Sequence, residues 1–127
     1  MIISPPKKRA NNTEGWHRAN IYTIDYIQDV IYFEKMTDVL DITFEISNGN
    51  YITQRYNYSF HPKSNLFEVI VELTDKKPDY NTGLDTDELL NKECMIKIEH
   101  NEDSKGNVWE NVREVKKANE EMMEGNL

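Results

Sequence analysis

Cysteine, glycine and long apolar runs are all scarce in this chain, and each scarcity excludes something. There is one cysteine in 127 residues, so no intrachain disulfide can form. Cys94 opens an apolar run and reads as a small buried hydrophobe. The five glycines form neither a G-x-G-x-x-G nor a Walker A pattern, which removes the familiar phosphate-cradling loops. His17, His61 and His100 are scattered and Cys94 stands alone, so the spacing of a zinc site is missing. No run of about 18 apolar residues is present to span a bilayer. The opening MIISPPKKR lacks the apolar core of a signal peptide. The expectation is a soluble intracellular protein with no membrane partner, no metal and no cofactor.

What is present suits one domain with a lean β core. Seven Tyr, four Phe and two Trp supply bulk, while the mean hydropathy of −0.77 implies generous polar surface or tails. The net charge of −8 argues against simple non-specific DNA binding. Its distribution is uneven. Residues 1–18 carry four cations, Lys7, Lys8, Arg9 and Arg18, against Glu14. Residues 118–127 carry Glu120, Glu121 and Glu124 and no base. The sequence therefore predicts a flexible basic arm over 1–17, a domain over 18–117 and an acidic tail over 118–127.

Periodicity orders the domain. Residues 19–28 read as a first strand, with Tyr22, Ile24 and Tyr26 on one face and Ile21, Thr23, Asp25 and Ile27 on the other. Residues 29–36 either extend that strand or form a loop displaying Tyr32, Phe33 and Lys35. Residues 39–46 give the cleanest alternation, with Leu40, Ile42, Phe44 and Ile46 on one side. Asn48-Gly49 marks a hairpin turn into a third strand over 51–60. His61-Pro62 stops it. Ser64 or Asn65 then caps a helix to about Leu73, although the β-branched run 69–71 keeps a strand open there. Asp85 or Thr86 caps a single turn. Residues 94–115 read as a closing hairpin, with Ile96 and Ile98 inward beside Cys94 and with Trp109, Asn111 and Arg113 sharing a face. Five strands with one helix between the third and fourth is the order of a five-stranded, mainly β Greek-key barrel, the OB-fold.

Catalytic patterns fail in turn. Residues 101–106 faintly suggest a calcium loop, but Lys105 stands where an oxygen ligand is needed and Val112 falls where a glutamate should. No Ser, His and Asp are linked as a triad. The pair Asp85 and Asp87 has a capping explanation. No enzyme is predicted. What remains is a set suited to single strands, whose bases stack on planar side chains and whose phosphates meet cations. The candidates are Tyr51 and Arg55 on the third strand, Lys97 on the fourth, and Trp109 and Arg113 on the fifth. Tyr32, Phe33 and Lys35 would lie in the first loop, and Lys105 with Asn107 in the last. Each has a plainer role available: Trp109 as a packed residue, Tyr51 as a turn flank, Arg55 as the partner of Asp41 or Glu45.

Four segments also resemble a known family. They are Asp41-Ile42-Thr43-Phe44-Glu45-Ile46, Leu89-Leu90-Asn91-Lys92-Glu93-Cys94, Ile96-Lys97-Ile98-Glu99-His100, and Gly106-Asn107-Val108-Trp109-Glu110-Asn111-Val112. The pattern is similar to small phage and prophage proteins of the single-stranded-DNA-binding type with an OB-fold, over residues 19–116. Asn91 stands where that family usually has glycine, and asparagine also tolerates positive φ. The resemblance implies a non-enzymatic single-stranded-DNA binder of a phage replication or recombination module, acting in the cytoplasm of a bacterial host. It implies that the acidic tail could recruit a replication or recombination protein, and it leaves self-association open. The rival expectation is an acidic phage protein that binds, inhibits or redirects a host protein, perhaps as a nucleic-acid mimic; acid lining by Asp41, Glu45, Glu99 and Glu110 would favour it.

Overall fold

The alternation over residues 39–46 becomes the spine of one sheet. A computed structural model describes residue 1 and residues 6–118. The expected acidic tail, from residue 119 onward, lies outside the described residues. The strands are β1 (Gly15–Tyr32), β2 (Lys35–Ile46), β3 (Tyr51–Asn57), β4 (Glu93–Glu102) and β5 (Val108–Lys117). A helix, α1 (Asn65–Thr74), lies between β3 and β4 and is followed by a 3-10 turn at Thr86–Glu88. The sheet order is β3-β2-β1-β4-β5 and every pairing is antiparallel. The fold is therefore mainly β with the expected β-β-β-α-β-β order.

β1 is shared between two neighbours. Gly15–Asn20 pairs with β4, while Ala19–Tyr32 pairs with β2. The two outer strands, β3 and β5, run in the same direction and share no backbone ladder, so the OB-like barrel stays open between them. The gap is bridged by a side chain: Gln54 Oε1 accepts the Val112 N–H at 2.8 Å. Leu40, Ile42, Phe44, Ile96 and Ile98 bury their side chains inside the curl, joined by Leu66, Ile70 and Leu73 of α1. Burial of side chains this size contributes about 1.5–3 kcal/mol each before cavity terms.

The helix forms where expected. Ser64 is its N-cap, its hydroxyl accepting the Phe67 N–H at 3.2 Å. Leu66, Val69, Ile70 and Leu73 fall on one face and are buried, which overrides the weak helix propensity of the β-branched run. Asp85 caps the 3-10 turn through a 3.0 Å bond from the Asp87 N–H. Asn91 has φ 64°, the left-handed conformation asparagine tolerates, and its N–H donates to the Ile21 carbonyl. Burial pushes the Cys94 thiol up to about 12.

Four expectations need correction. First, of the two readings open for residues 29–36 the strand extension holds: β1 runs to Tyr32 and β2 starts at Lys35, so of the residues expected in a loop only Phe33, with Glu34, forms the turn. Second, the alternation expected in β1 holds from Thr23 to Ile27 but breaks before it. Tyr22 is the extra residue of a bulge, so Ile21 faces Phe44 and Ile24 faces Ile42, both toward the core. A second bulge, around Asp29 (φ 54°), is pinned by Asp38, which accepts the Asp29 N–H at 3.1 Å and the Tyr26 hydroxyl at 2.5 Å. Those bonds hold the Asp38 carboxyl below its ordinary range. Third, β3 ends at Asn57, not at residue 60, although Phe60 is still buried.

Fourth, the basic N-terminal stretch does not stand off the domain. Lys8 donates its N–H to Asn107 Oδ1 at 2.8 Å and accepts the Val108 N–H at 2.8 Å. The Asn11 and Asn12 N–H groups both donate to Glu110 Oε1, at 3.1 and 2.6 Å. Asn12 is buried, bonded also by Asn50 and His100. Buried amides demand partners, and Glu110 and Asn50 supply them. No described helix is long and apolar enough to cross a membrane.

Candidate nucleic-acid interface

The β1–β2 hairpin projects past its neighbours as a two-stranded ribbon. β3 stops pairing with β2 at Val39, and β4 leaves β1 at Asn20. The ribbon's turn residues, Phe33 and Glu34, both have positive φ, 50° and 64°. That geometry suits asparagine and glycine far better than an aromatic residue. Phe33 is 82% exposed, with Ile31 and Met36 close behind at 75% and 70%. Tyr32 is held beneath: its hydroxyl donates to the Arg55 carbonyl at 3.2 Å, and burial raises its pKa. Its ring centroid lies 4.5 Å from that of Phe33. Lys35 is the cross-strand partner of Tyr32.

The outer face of β1, β2 and β3 carries aromatic rings among acids. Tyr51 and Tyr22, both about half exposed, meet at 5.1 Å between centroids. The Tyr51 hydroxyl donates to Glu45 at 2.8 Å, which raises its pKa. Arg55 forms a two-pronged pair with Asp41 at 2.8 and 2.9 Å, and this bond keeps the guanidinium charged. The partner role foreseen for Arg55 is thus filled by Asp41. Against Arg55 this face sets Asp25, Asp41 and Glu45, so its centre is acidic.

The β4–β5 turn is organised by one carboxylate. Asp103 Oδ1 accepts the N–H groups of Lys105 and Asn107 at 2.9 and 3.0 Å. Its Oδ2 accepts the Trp109 indole N–H at 3.0 Å and the Asn107 amide at 3.2 Å. The indole bond and the backbone donors hold the Asp103 carboxyl down at about 2. Trp109 is 49% exposed, with its edge fixed by Asp103. Lys8 Nζ sits 5.2 Å from the ring centroid, within cation–π range. Lys7 reaches the same turn, its Nζ 2.9 Å from where a Cβ on Gly106 would stand. Lys105 is exposed at the tip. Lys7, Lys8 and Lys105 therefore meet at this turn of an acidic protein.

Trp109, Asn111 and Arg113 share the outer face, as the alternation predicts. Arg113 is the extra residue of a bulge, which lets Val112 and Val115 both point inward. It lies 3.8 Å from Glu99, and Lys97 lies 3.9 Å from Glu114. Both pairs are exposed and bind weakly. Of the carboxylates that would mark an acid-lined face, Asp41 and Glu99 are paired with arginines. Glu110 is turned to the N-terminal segment, its side chain 11% exposed.

Seven of the nine expected residues thus fall at three places: Tyr32, Phe33 and Lys35 with Arg55 at the ribbon, Tyr51 near the β2–β3 turn, and Lys105 with Trp109 at the hairpin. Lys97 and Arg113 sit apart, facing acids. The bridge between Gln54 and Val112 relates the last two groups, because Tyr51 and Trp109 each lie three residues before it on parallel strands. Tyr22 and Asp103 were missed, and Lys8 was read only as part of the basic arm. Asp103 had a local signal, an aspartate opening a polar turn with glycine three residues on. Among the described residues, no three His, Cys, Asp or Glu side chains gather as a metal site would. No family model matches the chain, and no curated protein matches it.

Proposed function

We propose that this chain is a non-enzymatic single-stranded-DNA-binding protein that stacks bases on aromatic side chains and meets phosphates with lysines. The observation that carries this is Trp109: half exposed, edge-anchored by Asp103, with Lys8 over its ring and with Lys7 and Lys105 at the same turn. A half-exposed indole with a lysine over its face offers a stacking surface and a cation together, which suits a base with its phosphate. Stacking of this kind contributes about 1–3 kcal/mol per base and is indifferent to sequence. The aromatic pairs Tyr22/Tyr51 and Tyr32/Phe33 extend the same chemistry over the outer face. The resemblance to phage single-strand binders supports a place in a replication or recombination module of a phage, hence in a bacterial cytoplasm.

Fluorescence polarisation with labelled oligo-dT at several salt concentrations tests the proposal. Affinity is expected to fall steeply with salt as counterions are released. The double variant Lys8→Ala/Trp109→Ala should weaken binding roughly tenfold or more. Absence of binding at low salt sinks the idea.

A second reading has one observation behind it. The centre of the outer face presents Asp25, Asp41 and Glu45 with Arg55 as the cation among them. An acidic face of this kind suits a basic protein partner. On that reading Asp25→Asn/Glu45→Gln abolishes capture of the partner and leaves oligo-dT indifferent.

A further inference from the structure

Beside the ribbon turn lies an open hollow of about 340 Å³, lined by Tyr32, Phe33, Lys35, Met36, Thr37 and Asn57. Its walls combine three kinds of group. Tyr32 and Phe33 supply an aromatic surface, and Tyr32 is immobilised through the Arg55 carbonyl. Lys35 supplies a cation, and it takes part in no ion pair among the described residues. Asn57 supplies a hydrogen-bonding edge of fixed sense. The Thr37 hydroxyl donates to Asn57 Oδ1 at 2.8 Å, the nearer of its two acceptors with the Asp38 carbonyl at 3.3 Å, which leaves the amide's Nδ2, with N–H donors, for what enters. The turn itself points the same way. Phe33 keeps positive φ and high exposure where asparagine or glycine would be relaxed and polar. Strain of this sort persists where a displayed side chain has a use.

Resting on the single-strand reading above, we propose that this hollow takes one nucleotide of the bound strand and prefers a thymine- or uracil-type base. The volume suits one nucleotide. The base lies on Phe33 and Tyr32, its phosphate meets Lys35, and a ring carbonyl oxygen accepts from Asn57 Nδ2. Thymine and uracil carry two such oxygens. Adenine has no carbonyl oxygen, and its ring acceptors N1 and N7 each lie beside the exocyclic amino group, which sets a donor close to the Asn57 donors.

The test is equilibrium binding of oligo-dT and oligo-dA of equal length to the full chain at one salt concentration. Unstacking of oligo-dA alone could create a preference, so the readout is how variants change the dT/dA affinity ratio. Wild type is expected to favour oligo-dT by roughly fivefold or more. Asn57→Asp replaces the donors with acceptors and should bring the ratio close to one, with an unchanged melting temperature. Lys8→Ala/Trp109→Ala should lower both affinities and leave the ratio as it was. A ratio unmoved by Asn57→Asp, or equal binding of the two oligomers by wild type, overturns the base preference while leaving single-strand binding intact. Failure to bind either oligomer overturns the single-strand reading as well.

Discussion

The indole N–H of Trp109 donates to Asp103 Oδ2 at 3.0 Å, so the carboxylate that shapes the β4–β5 turn also aims the exposed ring. The same carboxylate accepts two backbone N–H groups of the turn. Turn geometry and ring orientation are therefore one unit, and protonating Asp103 should loosen both.

That coupling has a defined pH window. Asp103 titrates at about 2 in the folded chain against an ordinary value of 3.8. A depressed carboxyl stabilises the fold above its unfolded value and loses that contribution as pH falls through the folded one. The stabilising contribution should be complete above about pH 4 and shrink as pH falls toward 2, and in the folded chain the bond itself should be half released near pH 2. An NMR titration of the Trp109 indole N–H resonance reads this directly. A midpoint near 2 is expected in wild type, and Asp103→Asn should flatten the curve; a midpoint near 4 would show that the bond does not form.

The open seam of the sheet gives a second expectation. Gln54→Leu removes the acceptor of the Val112 N–H, a donor on a buried residue. An orphaned buried donor costs about 1–3 kcal/mol. Urea unfolding should show that loss, and exchange of the Val112 amide should quicken. Gln54→Glu keeps an acceptor in place and should recover much of the difference.

Glu110 decides whether the basic segment stays docked. Its Oε1 accepts the N–H groups of both Asn11 and Asn12. Hydrogen bonds to a charged group contribute about 1.5–3 kcal/mol. Glu110→Ala should expose residues 6–14 to limited proteolysis and accelerate exchange at Asn11 and Asn12. Unchanged protection there would mean that the other contacts of Asn12 suffice.

The ribbon turn separates stability from binding. Phe33→Asn/Glu34→Gly places residues suited to positive φ at both positions and should stabilise the hairpin by about 1 kcal/mol. The same change removes the exposed ring, so oligo-dT affinity should fall while the melting temperature rises. A fall in both would assign Phe33 a packing role instead.

Much of the fold was legible in short windows. Leu40, Ile42, Phe44 and Ile46 alternate without interruption, and all four are buried. Ser64 precedes an apolar stripe at helical spacing and caps that helix. Less of the candidate site was legible. Arg55 and Tyr51 were placed on the correct strand and face, but which acid each would meet depended on the β2–β3 register. The docking of Lys8 over Trp109 joins residues about a hundred positions apart, beyond any local pattern.

By itself the sequence determined the element order, the apolar faces of β2 and β4, and the caps, because these follow from side-chain periodicity and from backbone preferences of neighbouring residues. Tertiary structure decided the rest. A single extra residue at Tyr22 or Arg113 resets the alternation after it, and whether a strand bulges depends on the strand it must pair with. The ribbon, the open seam bridged by Gln54 and the lysine drawn to Trp109 arise where distant segments satisfy each other's hydrogen bonds and charges, and it is there that the candidate interface lies.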